Sequence, residues 1–326
     1  MKQRNTDIDW IRAILIILMI LIHIVSFGNA YPQIKAGVLS FMMPTFLIIT
    51  GYLVNIGKSP KEMGRYLMRL ALPYVIMVTG FSVLSYFMPV RDGITELSLS
   101  QICEKIFITS IGPYWFIQTM IICGILYYVS FKGATWGKLR QGETTKSTTT
   151  CLFIFATLLL LLSKTPALSP SAATYYFIGV VLRQCHIGFD RIFRPSPAAL
   201  LLWLLLLGME EWYDWGTLAI VFSCWCCISS LMWIHSLINR LQDKACIRKT
   251  EDTLLYIGRN TLPIYLFHPI FTMAAKFYHP LFGWDRSEII FALVTIFIAI
   301  AGSIGIAMMM EKTHLAYLFG KGKMLR

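Results

Sequence analysis

Apolar runs follow one another along almost the whole chain, separated by short polar stretches that hold most of the charge. They fall at about residues 10–28, 36–55, 66–88, 112–131, 151–164, 171–184, 197–210, 215–237, 254–277 and 288–311. A helix that crosses the hydrocarbon core needs ~20 apolar residues, and fewer where it is enclosed by other helices. Backbone polar groups in lipid must be satisfied within the segment, which favours helices for runs of this length. The pattern predicts an all-α fold, a polytopic transmembrane helical bundle of about ten spanning helices. The fifth to seventh runs are short and punctuated by Pro166, Pro170, Pro195 and Pro197. A count of nine or eleven therefore fits the same pattern.

Composition agrees with this reading. Of 326 residues, 56% are hydrophobic and 14% charged, with a mean hydropathy of +0.64. A soluble domain carries roughly 25% charged residues. The longest loops, near 89–111, 132–150 and 238–253, are too short for a separate globular unit. A single integral-membrane domain over residues 1–326 is expected. The first apolar stretch does not read as a cleaved signal peptide, since it lacks a small-x-small site and contains Arg12 and His23. The net charge of +12 does not point to nucleic acid, because Lys and Arg are scattered between apolar runs rather than gathered on one face. Cys224, Cys226 and Cys227 sit inside an apolar run without His or acidic neighbours, so they read as small hydrophobes and no metal site is expected.

Lys and Arg also orient the chain. With Lys2 and Arg4 in the cytoplasm, the inner segments hold Lys58, Lys61, Arg65 and Arg69, then Lys132, Lys138, Arg140 and Lys146, then Arg183, Arg191 and Arg194. Arg240, Lys244, Arg248, Lys249 and Arg259 follow, and finally Lys312, Lys321, Lys323 and Arg326. Only Lys35, Arg91, Lys105, Lys164, Lys276 and Arg286 fall outside. Both termini are expected in the cytoplasm of a multi-pass protein of the cell inner membrane.

A charge at mid-membrane costs at least ~2.5–3.5 kcal/mol, so ionisable residues inside apolar runs are functional candidates. The first run contains Asp9-Trp10-Ile11-Arg12 and, ten residues after the arginine, His23. Eleven steps of ~1.5 Å place the two side chains ~16 Å apart after almost three whole turns, on one stripe. Taken singly, Arg12 also fits a residue that snorkels to the interface, Asp9 fits its ion-pair partner, and His23 fits a hydrogen bond between helices. Together they suggest a lined cavity. Arg65 and Arg69, four apart before Pro73, fit ordinary inner-face anchors and also a site for phosphate. Gly112-Pro113-Tyr114-Trp115-Phe116 fits an aromatic belt as well as a pocket wall. Tyr265 and His268 in Leu262-Pro263-Ile264-Tyr265-Leu266-Phe267-His268-Pro269 bring a second imidazole into apolar sequence. His235 reads as a helix-end residue.

At these residues the chain resembles acyltransferase family 3, membrane proteins that O-acylate bacterial surface sugars and related acceptors. The resemblance lies in Asp9, Arg12 and His23, an Asp-x-x-Arg start with Arg-x10-His; in Phe41-Met42-Met43-Pro44-Thr45-Phe46-Leu47-Ile48-Ile49-Thr50-Gly51-Tyr52-Leu53; in Arg65, Arg69 and Pro73; in Trp115-Phe116; and in Thr261 to His268. Thr50 stands where the family more often has Ser. The resemblance is to the stand-alone form, in which no hydrolase-like domain is expected after the bundle, similar to fucose 4-O-acetylase-like proteins.

The resemblance implies an enzyme, an acyltransferase with acyl-CoA, most often acetyl-CoA, as co-substrate and no bound cofactor. The acceptor it implies is a hydroxyl of a surface glycan, a lipid-linked sugar or a related carbohydrate, that is, O-acetylation in polysaccharide modification. In that setting His23 is the expected general base, or alternatively a nucleophile that carries the acyl group. Arg12 is expected to assist it, and Arg12, Arg65 and Arg69 to hold the CoA phosphates. Asp9, Tyr52, Trp115, Tyr265 and His268 are the candidates for the substrate pocket. A transporter or flippase for a lipid-linked sugar is the alternative, though the chain lacks the inverted repeat and paired broken helices common in such proteins.

Overall fold

The computed structural model describes residues 5–88, 92–136, 144–209, 211–241, 244–320 and 322–326. Lys2, Arg4, Arg91, Lys138, Arg140 and Lys321, used above for orientation, lie outside the described residues, as does the side chain of Lys146. The described residues form helices and turns, with no strand among them. In order the helices are α1 (Thr6–His23), α2 (Val25–Ala30), α3 (Pro32–Leu53), α4 (Pro60–Phe87), α5 (Leu99–Phe107), α6 (Trp115–Trp136) and α7 (Thr144–Leu162). They continue as α8 (Pro170–Gln184), α9 (Phe189–Ile192), α10 (Pro197–Leu207), α11 (Thr217–Arg240), α12 (Ala245–Arg259), α13 (Thr261–Tyr278) and α14 (Ile289–Lys312).

Among the described residues, five segments are long and apolar enough to cross a membrane by themselves: Pro32–Leu53, Pro60–Phe87, Gly112–Lys132, Thr217–Arg240 and Ile289–Lys312. Thr148–Leu162 and Pro197–Leu207 are shorter apolar stretches. Large apolar side chains such as Phe153, Leu160, Leu201, Leu205, Leu293 and Phe297 are exposed on these helices. Exposure of apolar side chains on this scale is what a lipid-facing surface requires.

Two of the ten expected runs are built differently. The first is interrupted at Ile24, which adopts an extended conformation (φ −80°, ψ 107°) and separates α1 from α2. The ninth begins only at Thr261. Its expected opening, Leu254 to Arg259, is the end of α12, a separate helix whose Leu255, Ile257 and Gly258 are buried. Those apolar residues face protein, and apolar sequence by itself does not distinguish that from lipid. Within the loop near 89–111, Ser98 caps a short helix, α5, by accepting from the Gln101 amide.

The chain forms two compact units. The first comprises residues 1–46, 188–316 and 322–326; the second comprises residues 47–187 and 317–321. In the first unit α1 packs against α11, α12, α13 and α14, and α13 packs along α14. Asn5 caps α1 by accepting from the Ile8 amide at 3.3 Å. Ile11, Ala13, Leu15, Ile16, Met19 and Ile20 are fully enclosed, so α1 is a core helix rather than a lipid-facing one. Helix α12 crosses it at Gly258, where a Cβ would overlap the Asp9 carbonyl. In the second unit α4 packs on α5 and α6, and α6 and α7 pack on α8. Ser59 and Glu62 form a capping box at the start of α4, with Pro60 in its first turn. Gly51 of α3 and Gly179 of α8 let two backbones touch, since a Cβ on either would strike the other helix's carbonyls.

Candidate functional site

The stripe expected on α1 meets α13 at two points. Near the start of both helices, Arg12 Nη2 donates to Thr261 Oγ1 at 2.5 Å. Two turns further along α13, the rings of His23 and His268 stand edge to face, 5.3 Å between centroids and 74° between planes. Along α1 the two contacts are eleven residues apart and along α13 seven, about 16 and 10 Å of rise. The length of the arginine covers the difference.

The two histidines are held in the same way. His23 Nδ1 lies 2.6 Å from the Met19 carbonyl, one turn back in α1. His268 Nδ1 lies 2.8 Å from the Tyr265 carbonyl. Only an N–H can face a carbonyl oxygen at such distances, so Nδ1 carries the proton in both neutral rings. Nε2 is then the lone-pair nitrogen. The sequence builds the second of these bonds through Pro269, which has no N–H to give to the carbonyl four residues earlier. That carbonyl belongs to Tyr265, and the His268 ring takes the vacancy. His268 is fully buried, and its Nε2 has no hydrogen-bond partner among the described residues. Tyr265, also buried, packs against it with ring centroids 5.9 Å apart.

Asp9 is 3% exposed and lies 3.8 Å from the Arg259 Nε at the end of α12. Asp9, Arg12, His23, Tyr265 and His268 therefore all belong to the first unit. The other candidates belong to the second. Arg65 and Arg69 are both exposed on one face of α4. Tyr52 is buried at the end of α3, its hydroxyl donating to the Ile187 carbonyl at 3.2 Å and its ring under the Arg183 guanidinium at 5.6 Å. Trp115 opens α6 after the turn Gly112–Tyr114, where Gly112 takes a left-handed conformation (φ 56°), and its ring meets Phe116 edge to face. In this unit the sequence reading missed Gln184, which hydrogen-bonds the Tyr127 hydroxyl. It also missed Tyr176, whose fully buried hydroxyl has no partner among the described residues.

His235 is not a helix-end residue. It is fully buried in α11, with Nδ1 2.6 Å from Asp7 Oδ1 of α1 and Nε2 3.2 Å from Glu251 Oε1 of α12. The Trp10 indole stacks on the imidazole, 5.1 Å between centroids and 15° between planes. Asp7 and Trp10 are three apart and share a helical face, which is the only trace of the arrangement in the sequence. Cys224, Cys226 and Cys227 are buried free thiols in the same helix, and Cys224 Sγ lies 3.6 Å from the Phe41 carbonyl.

The chain was compared with known proteins. The family model for the acyltransferase domain of acyltransferase family 3 matches residues 5–308, nearly the whole chain. No curated protein and no solved structure matches it.

Proposed function

We propose that this chain, which belongs to acyltransferase family 3 and is a membrane acyltransferase, uses His23 as the general base for acyl transfer from acyl-CoA to a hydroxyl. The donor is acetyl-CoA, and the acceptor is a hydroxyl of a surface glycan or lipid-linked sugar. The observation that carries this reading is the His23 Nδ1–Met19 carbonyl bond, which leaves Nε2 as the lone pair of a ring at the end of a buried helix. A neutral imidazole with a free lone pair is suited to taking a hydroxyl proton.

The reaction then balances on one nitrogen. The hydroxyl proton passes to His23 Nε2 as the oxygen attacks the thioester carbonyl carbon. The C–S bond breaks, and the departing thiolate recovers the proton from the imidazolium. His268 presents a second imidazole beside the ring on which positive charge develops. Arg12 is the residue assigned to the phosphates of CoA, guanidinium groups being suited to bidentate phosphate binding. CoA is a cytosolic donor, and the excess of Lys and Arg in the inner segments supports ten spans with both termini in the cytoplasm of the inner membrane.

Incubation of the purified protein in lipid vesicles with radiolabelled acetyl-CoA and a panel of glycans tests this. Label on a glycan hydroxyl is expected. Glycan carried across the vesicle without covalent change would instead support a transporter. Label trapped on His23 itself would replace the base with an acyl-histidine intermediate.

A further inference from the structure

The Asp7–His235–Glu251 cluster has no part in the chemistry above, and its geometry leaves it little chemical freedom. Both ring nitrogens of His235 face carboxylate oxygens, at 2.6 and 3.2 Å. A ring that donates to both carries a proton on each nitrogen, an imidazolium between two carboxylates, with Asn239 Nδ2 3.5 Å from Nε2. In that form it has no lone pair with which to bind a metal, accept a proton or take an acyl group. What it does is join three helices, with Asp7 from α1, His235 from α11 and Glu251 from α12, under the Trp10 indole.

We propose that this cluster is a positioning device for the donor: it clamps the cytoplasmic end of α1 so that Arg12 is presented to the CoA phosphates. Asp7 and Trp10 lie on one side of α1, whereas Arg12, five and two residues on, lies roughly opposite. On the Arg12 side, α12 approaches until Gly258 touches the Asp9 backbone, and Arg259 stands 3.8 Å from the Asp9 carboxylate. There Arg12 meets Thr261. A rotation of α1 by even a small angle would separate the Arg12 and Thr261 groups, and the clamp resists it. Among the described residues, two titratable groups hydrogen-bond His235, Asp7 from α1 and Glu251 from α12. Helix α10, which also packs on α11, has none, and Asp214 lies beside the opposite end of α11.

The inference rests on Arg12 as a donor contact, and the test separates the two. His235→Gln in the full-length protein keeps one hydrogen bond and removes the charge. It is expected to raise the acyl-CoA KM by about ten-fold, the size of one lost charge-assisted hydrogen bond, with kcat within about two-fold of wild type. A His235→Gln protein with wild-type KM overturns the clamp. So does one that merely folds in lower yield with unchanged KM. Arg12→Ala is measured alongside. A raised KM there with a wild-type KM in His235→Gln overturns the clamp alone, whereas an unchanged KM in Arg12→Ala overturns the donor reading, and the purpose of the clamp with it.

Discussion

The two ends of α1 each carry a histidine contact, and they are opposite in kind. At the first turns of α1, His235 has both nitrogens engaged by carboxylates and an indole stacked on its face. At the other end His23 and His268 each spend one nitrogen on a backbone carbonyl and keep the other as a lone pair. Buried imidazole is therefore not a single signal. A ring saturated by acidic partners is fixed as a charge and ties helices together. A ring oriented by one carbonyl keeps a basic nitrogen, which is the requirement for proton transfer. Helix α1 is held at the first end, and the proposed base stands at the second.

The sharpest way to break this arrangement is to move α1 itself. Gly258→Val places side-chain atoms on the Asp9 carbonyl, where backbone has to yield. It is expected to cost about 3 kcal/mol or more, read as loss of folded protein in the membrane and a lower melting temperature in detergent. His268→Gln tests the open end. It keeps the volume and a polar group but no second imidazole, and turnover is expected to fall by about 100-fold at unchanged melting temperature. Wild-type turnover would reduce His268 to packing.

The closed end answers differently. His235→Leu removes the imidazole beside the buried Glu251 carboxylate and is expected to cost about 3 kcal/mol. Adding Glu251→Leu is expected to recover most of that stability, since a well-packed apolar pair replaces the buried charges. Thermal melting of the single and double variants decides it, and no recovery would show that the cluster does more than neutralise itself. The smallest effect expected is that of Thr261→Val, which removes one hydrogen bond from a half-buried arginine. An increase of about five-fold in acyl-CoA KM corresponds to about 1 kcal/mol.

Much of this was legible in the sequence. Apolar runs gave the helices, and the eleven-residue spacing gave Arg12 and His23 a common stripe that the structure turns toward α13. The break at Ile24 was not legible, because Ile24 is as apolar as its neighbours and only its backbone departs from the helix. Nor was the division at Asn260, since Leu255, Ile257 and Gly258 are buried against protein rather than lipid and hydropathy scores both alike. The pairing of His23 with His268 depends on packing between residues 245 positions apart. Pro269 was the readable hint, a missing N–H beside a histidine that can replace it. His235 was misjudged because its partners come from α1 and α12, distant in sequence and visible only after folding.

The base itself is tested most directly by His23→Ala in purified protein reconstituted into vesicles, with transfer of label from acetyl-CoA to an acceptor glycan as the readout. Transfer is expected to vanish while the protein remains folded and retains its affinity for acyl-CoA. Near-normal turnover in that variant would contradict the account, for both the general-base mechanism and its acyl-histidine counterpart.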